Sequence, residues 1–134
     1  MAIQFNASVR SAILQAIETE VKGSAVVRFY TGAQPVSAGA PNSGTLLATM
    51  QLQADYLGTP TSGTSDKSGT WSTTVSALGV PGHFRMYNSA ETISYIQGAI
   101  TSTGGSGDLK FDAVDWVTAQ TVTINTWTFI AGNA

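Results

Sequence analysis

The sequence predicts a mainly β fold, a two-sheet, jelly-roll-like β-sandwich preceded by one N-terminal α-helix. Three observations predict it. Seven or eight short runs rich in β-branched and aromatic residues are separated by polar turns at irregular spacing. Helical periodicity occurs only once, over residues 6–22. The stretch Gly82–Ile100 reads as a hairpin, with Phe84 and Met86 on one face, His83, Arg85 and Tyr87 on the other, and the turn Asn88–Thr92 leading into Ile93–Ile96. A lone hairpin cannot bury its apolar face, so other strands must supply a second layer. The 134 residues form a single domain, 1–134, with the helix over about 6–22 and the sandwich over about 24–131, long enough to bury roughly two-thirds of the unfolded surface.

In the helix, Val9, Ile13, Ile17 and Val21 recur every four residues beside Ala12 and Ala16, which predicts one apolar stripe toward the sheet. Asn6 or Ser8 caps its start, Gly23 occupies the left-handed position past its end, and Glu18 and Lys22 are spaced for an outward ion pair. Glu20 interrupts the stripe near its end.

Beyond Gly23 the period changes. Ser24–Tyr30 is apolar on nearly both faces, with Arg28 its only charge, and 31–43 is turn and loop. Thr45–Gln53 alternates, with Leu46, Ala48, Met50 and Leu52 inward and Leu47 the exposed exception. The polar segment Thr59–Gly69 reads as a mobile connection and Trp71–Val75 as a short strand. After the hairpin and the glycine-rich turn Ser102–Asp108 come short apolar pieces at 109–114 and 116–117. The last strand spans Thr121–Ile130. Its parity changes between Val122/Ile124 and Trp127/Phe129, which means either a bulge near Asn125 or, the preferred reading, a strand buried on both faces.

Composition narrows the function classes. Only 10% of residues are charged, against about a quarter in ordinary globular chains, so much of the polar surface is Ser, Thr, Asn and Gln, suited either to exposed strands or to contact with other proteins. A net charge of −2 and six scattered basic residues offer no groove to nucleic acid. No apolar run spans a bilayer, and no membrane partner is expected. The opening segment lacks a basic region followed by a long apolar run, so it does not read as a secretory signal. With no cysteine, disulfides and thiol chemistry are excluded.

No motif names a reaction. The single histidine, His83, reads as a surface residue; a hydrolase would have to pair it with Asp55, Asp108 or Asp115, and no Gly-x-Ser-x-Gly elbow accompanies it. Asp108, Asp112 and Asp115 resemble a cation cluster, but strand geometry places Asp115 opposite the other two. The expectation is no catalytic residue, no metal and no cofactor. Trp71, Trp116 and Trp127 suit core packing, or alternatively a platform on which sugar rings stack.

Taken in order, several segments resemble a family of small virion proteins of tailed bacteriophages, the capsid decoration or cement proteins. They are the N-terminal helix, Arg28–Pro35 (RFYTGAQP), Gly44–Ala48, Gly82–Tyr87, Gln97–Ile100, Gly104–Leu109 and the closing Val122–Ile124. The turn Thr118–Gln120 departs from the pattern, which calls for a glycine there. The resemblance implies a β-sandwich or jelly-roll body on the capsid outer surface, made in the bacterial cytoplasm. It further implies binding to the major capsid protein as a homo-oligomer, a dimer or trimer. A tail or baseplate component and a carbohydrate-binding module are the alternatives. The apolar Ile3 and Phe5, outside the helix cap, are the expected partner contact, set against folding back as a staple on the protein's own helix.

Overall fold

A computed structural model describes residues 3–132. The chain runs through α1 (Ala7–Val21), β1 (Val26–Thr31), β2 (Leu46–Gln51), β3 (Thr64–Asp66), β4 (Trp71–Thr74), β5 (Pro81–Tyr87), β6 (Ser94–Ser102), β7 (Leu109–Phe111), β8 (Thr121–Ile124) and β9 (Thr128–Ile130). Five strands form one sheet in the order β2-β1-β5-β6-β7, antiparallel except for the parallel β6–β7 pair. Two antiparallel ribbons, β4–β8 and β3–β9, provide the remaining strands. The mainly β fold with an N-terminal helix is therefore the observed one. Val27, Phe29, Met50, Phe84 and Met86 share the core with Trp71, Trp116, Val122 and Ile124.

The expected hairpin is the β5–β6 pair, and β5 lies at the centre of the sheet. Its second face, expected to be polar and exposed, is buried: His83 and Arg85 are at most 1% accessible. The segment 32–43, which sequence alternation cannot place, covers them.

Asn6 caps α1 by accepting from the Val9 amide at 3.0 Å. The apolar stripe is rotated from its expected position. Leu14 and Val21 are buried, whereas Val9 and Ile13 remain exposed. The left-handed residues past the helix are Lys22 and Ser24, not Gly23. Gly23 is required for a different reason: a Cβ there would sit 2.6 Å from the Ala54 carbonyl oxygen. Glu18 turns inward and accepts from the Leu57 amide at 3.2 Å, in place of the expected ion pair with Lys22.

Leu47 is fully buried, contrary to strict alternation. The β1–β2 register shifts between Phe29, which faces Ala48, and Tyr30, which faces Leu46. This β-bulge leaves Leu47 without a partner position and lets it join Ala48 in the core. The polar segment 59–69 is also more ordered in its pairing than expected: Thr64–Asp66 pairs with Thr128–Ile130, and the Ser65 hydroxyl donates to the Gly58 carbonyl. Arg10 ties this corner to α1, donating to the Ala131 carbonyl at 2.5 Å, while the Gly63 amide donates to the Ser11 hydroxyl. The expected last strand is two strands. The parity change at 125–127 marks the point where the chain leaves the β4–β8 ribbon and enters β3–β9.

Candidate interaction surface

Two regions gather the side chains that sequence reasoning singled out. On the outer face of the five-stranded sheet, Tyr30, His83, Arg85 and Tyr87 lie beneath the segment 32–43. The Arg85 guanidinium donates to the Asn42 side-chain oxygen and to the Ala38 and Ala40 carbonyls. The Tyr87 hydroxyl donates to the same Asn42 oxygen at 2.5 Å and lies 3.2 Å from the Tyr30 hydroxyl. Burial, together with the Tyr87 contact, pushes the Tyr30 phenol up to about 12. Gln97 extends the set, donating to the Pro35 carbonyl at 2.7 Å. These bonds fasten the segment to the sheet and satisfy its backbone carbonyls, which is a structural task.

His83 belongs to this buried set. Its Nδ1 donates to the Gly32 carbonyl at 2.8 Å and its ring stacks on Tyr30 at 5.2 Å. None of Asp55, Asp108 and Asp115 is bonded to it. The arrangement that a histidine-based hydrolase requires is not assembled around this ring. Asp108 accepts from the Ala99 amide at 2.9 Å and Asp112 from the Thr103 hydroxyl at 2.8 Å. Among the described residues no cluster of three His, Cys, Asp or Glu side chains is placed to hold a metal ion.

The second region is apolar and open. Trp71 and Trp116 are buried, their indole N–H groups donating to the Ser68 and Ala113 carbonyls, so neither forms a platform. Trp127 is half-buried. It contacts Trp71 at 5.2 Å, Phe84 at 5.0 Å and Phe129 at 5.5 Å, and with Phe84, Ile96, Asp108 and Phe129 it lines a groove of about 490 Å³. On the other side of Ile96, a shallower hollow of about 260 Å³ lies between Tyr95 and the helix residues Ile13, Ala16, Ile17 and Glu20. Ile96 lines both, so the two hollows adjoin at this residue and are together called the trough below. Ile3 and Phe5, the expected partner contacts, stand exposed just ahead of α1.

The trough is only partly legible in the sequence. Trp127 is one of the three rings the sequence marks, and the helix stripe contains Ile13 and Ala16. Tyr95 and Ile96 gave no signal, because an exposed and a buried strand edge share the same alternation. Asn42 was equally silent within a loop of small residues. Compared with protein-family models, characterised proteins and solved structures, the chain matches none.

Proposed function

We propose that this chain is a structural virion protein of a tailed bacteriophage, a capsid decoration protein that binds and stabilises the shell of the major capsid protein. The observation that carries the reading is the apolar trough from α1 across Ile96 to Trp127, a surface suited to a protein partner. The type of partner is what the resemblance of the segments from Arg28–Pro35 to Val122–Ile124 to capsid decoration proteins implies. Scarce surface charge supports it too, since contacts repeated over a shell are cheaper to desolvate when few charges must be buried. On this reading the protein is made in the host cytoplasm, acts on the outer capsid surface as a dimer or trimer, and needs no cofactor.

Adding purified protein to expanded shells that lack it is the test. The expected result is saturable, stoichiometric binding and greater resistance of the shells to heat. No binding under any ionic condition overturns the reading, and co-purification with tails in place of heads reassigns the protein to a tail or baseplate. The half-buried Trp127 beside Asp108 favours one further alternative, carbohydrate binding. A shift in tryptophan emission on adding surface polysaccharide would support it.

A further inference from the structure

We propose that the outer edge of β6 is a docking site for an extended segment of a partner protein, apolar at alternate positions and carrying a basic side chain. β5 pairs with β6 from Ser94 to Ala99, but on the opposite side β7 pairs only with Ile100–Ser102. At Ala99 the N–H points away from β5 and is capped by the Asp108 carboxylate. The two-residue alternation of a strand repeats that outward direction at Gln97, where no strand is paired among the described residues. The other edge of the sheet is closed. Thr73 donates its hydroxyl to the Thr49 carbonyl at 2.7 Å, and the Ser76 and Ala77 amides donate to the Leu47 carbonyl. An open edge beside a closed one in the same sheet is the geometry used for strand addition.

The trough lies along this open edge and supplies the specificity. A strand paired to β6 would alternately turn side chains toward the apolar walls formed by Trp127, Phe84 and Ile13. The lining includes Asp108 at one end and Glu20 at the other, with no Lys or Arg, so a basic side chain on the segment is matched and an acidic one repelled. Backbone pairing favours a peptide over a sugar, because only a peptide provides N–H and C=O groups at strand spacing. The inference rests on the sheet edge and not on the capsid assignment, and either can fail alone.

The test uses the full chain and fluorescein-labelled heptapeptides of alternating Val or Ile and Thr with terminal Lys. A second set is N-methylated at alternate residues, a third carries terminal Glu, and N-acetylglucosamine trimer is the sugar probe. Saturable binding is expected for the Lys set, weakened at least about tenfold by N-methylation and by Glu, because pairing and charge are each lost. Trp127→Ala should abolish binding. Because Trp127 also contacts core rings, Asp108→Asn provides a second variant, keeping an acceptor for Ala99 while removing the preference between Lys and Glu ends. Absent binding across the Lys set, or binding indifferent to N-methylation, overturns the proposal. So does preferential binding of the sugar, or concentration-dependent self-association that excludes the peptides, which would make a second copy the occupant.

Discussion

Arg28 and Arg85 face each other across the β1–β5 ladder, two guanidinium side chains in directly paired positions. Like charges so placed repel, and each is compensated differently. Arg28 forms a 2.9 Å ion pair with Glu91, whereas Arg85 is held by Asn42 and two backbone carbonyls. Tyr87 lies between them, its ring centre 5.3 Å from the Arg28 guanidinium carbon and 5.8 Å from that of Arg85. Burial works against the Arg28 cation, but the Tyr30 hydroxyl and the Glu91 carboxylate outweigh it and raise its pKa.

Arg85 is therefore the clasp of the segment 32–43. Arg85→Met should cost about 3 kcal/mol, because the Ala38, Ala40 and Asn42 oxygens lose their donor. Arg85→Lys should not rescue it, since an ammonium cannot reproduce a planar fork that spans three acceptors. Urea denaturation measures the loss, and protease cleavage near the exposed Val36 should accelerate. Stability within ~0.5 kcal/mol of wild type in both variants would remove the clasp.

Stability should fall at alkaline pH through two tyrosines. Burial pushes the Tyr56 phenol up to about 12, with the Glu18 carboxylate adding to it, and Tyr30 is raised equally. A folded pKa above the free value of 10.0 means that the unfolded chain loses its proton first. The contribution is complete below pH 10 and disappears as pH climbs through about 12. Tyr56→Phe should flatten this decline in denaturation curves taken from neutral to alkaline pH. An unaltered alkaline slope in both Tyr56→Phe and Tyr30→Phe would refute the linkage.

At acid pH, Glu18 works in the reverse sense to the usual carboxylate. Burial raises its pKa above 4.5 and Asp55 adds to this, although the Leu57 amide bond opposes it. Its stabilising share is present below pH 4.5 and lost as pH rises through the folded value. Glu18→Gln, which keeps an acceptor for Leu57, should be at least as stable as wild type at pH 7, with the difference vanishing in acid. Thermal melts at both pH values check the sign.

Two small residues set backbone limits in opposite directions. Ala119 adopts φ 71° in the turn before β8, and its amide donates to the Val75 carbonyl at 2.9 Å. Ala119→Gly should stabilise by about 0.5–1 kcal/mol, because a left-handed conformation strains any residue with a Cβ. At Gly82 a Cβ would stand 2.2 Å from the Gly32 carbonyl oxygen, the acceptor of His83. Gly82→Ala should cost on the order of 3 kcal/mol. Equilibrium unfolding should give opposite signs for the pair.

That turn also shows how much of the molecule the sequence carried. Ala119 takes a left-handed φ of 71° there, a conformation that its residue type does not announce. The helix, the β5–β6 hairpin and the core parity of Phe84, Met86 and Met50 follow from local periodicity. What periodicity cannot show is the partner of each face. The burial of His83 and Arg85 depends on a loop returning over the sheet, and that of Leu47 on a register shift. The exposure of Val9 and Ile13 depends on how α1 is rotated. The trough was hidden for the same reason, because its walls come from α1, the β5–β6 hairpin, Asp108–Leu109 and residues 126–129, segments distant in the chain.

Ile3 is 78% and Phe5 45% exposed, two apolar side chains spaced to share one side of an extended strand. The expectation is that Ile3 and Phe5 contact a neighbouring subunit, another copy or the capsid protein. Deleting residues 2–5 leaves the Asn6 cap in place and should abolish assembly. Ile3→Ser should weaken assembly in the same direction. Retained assembly with a lowered melting temperature would assign the segment to the protein's own fold.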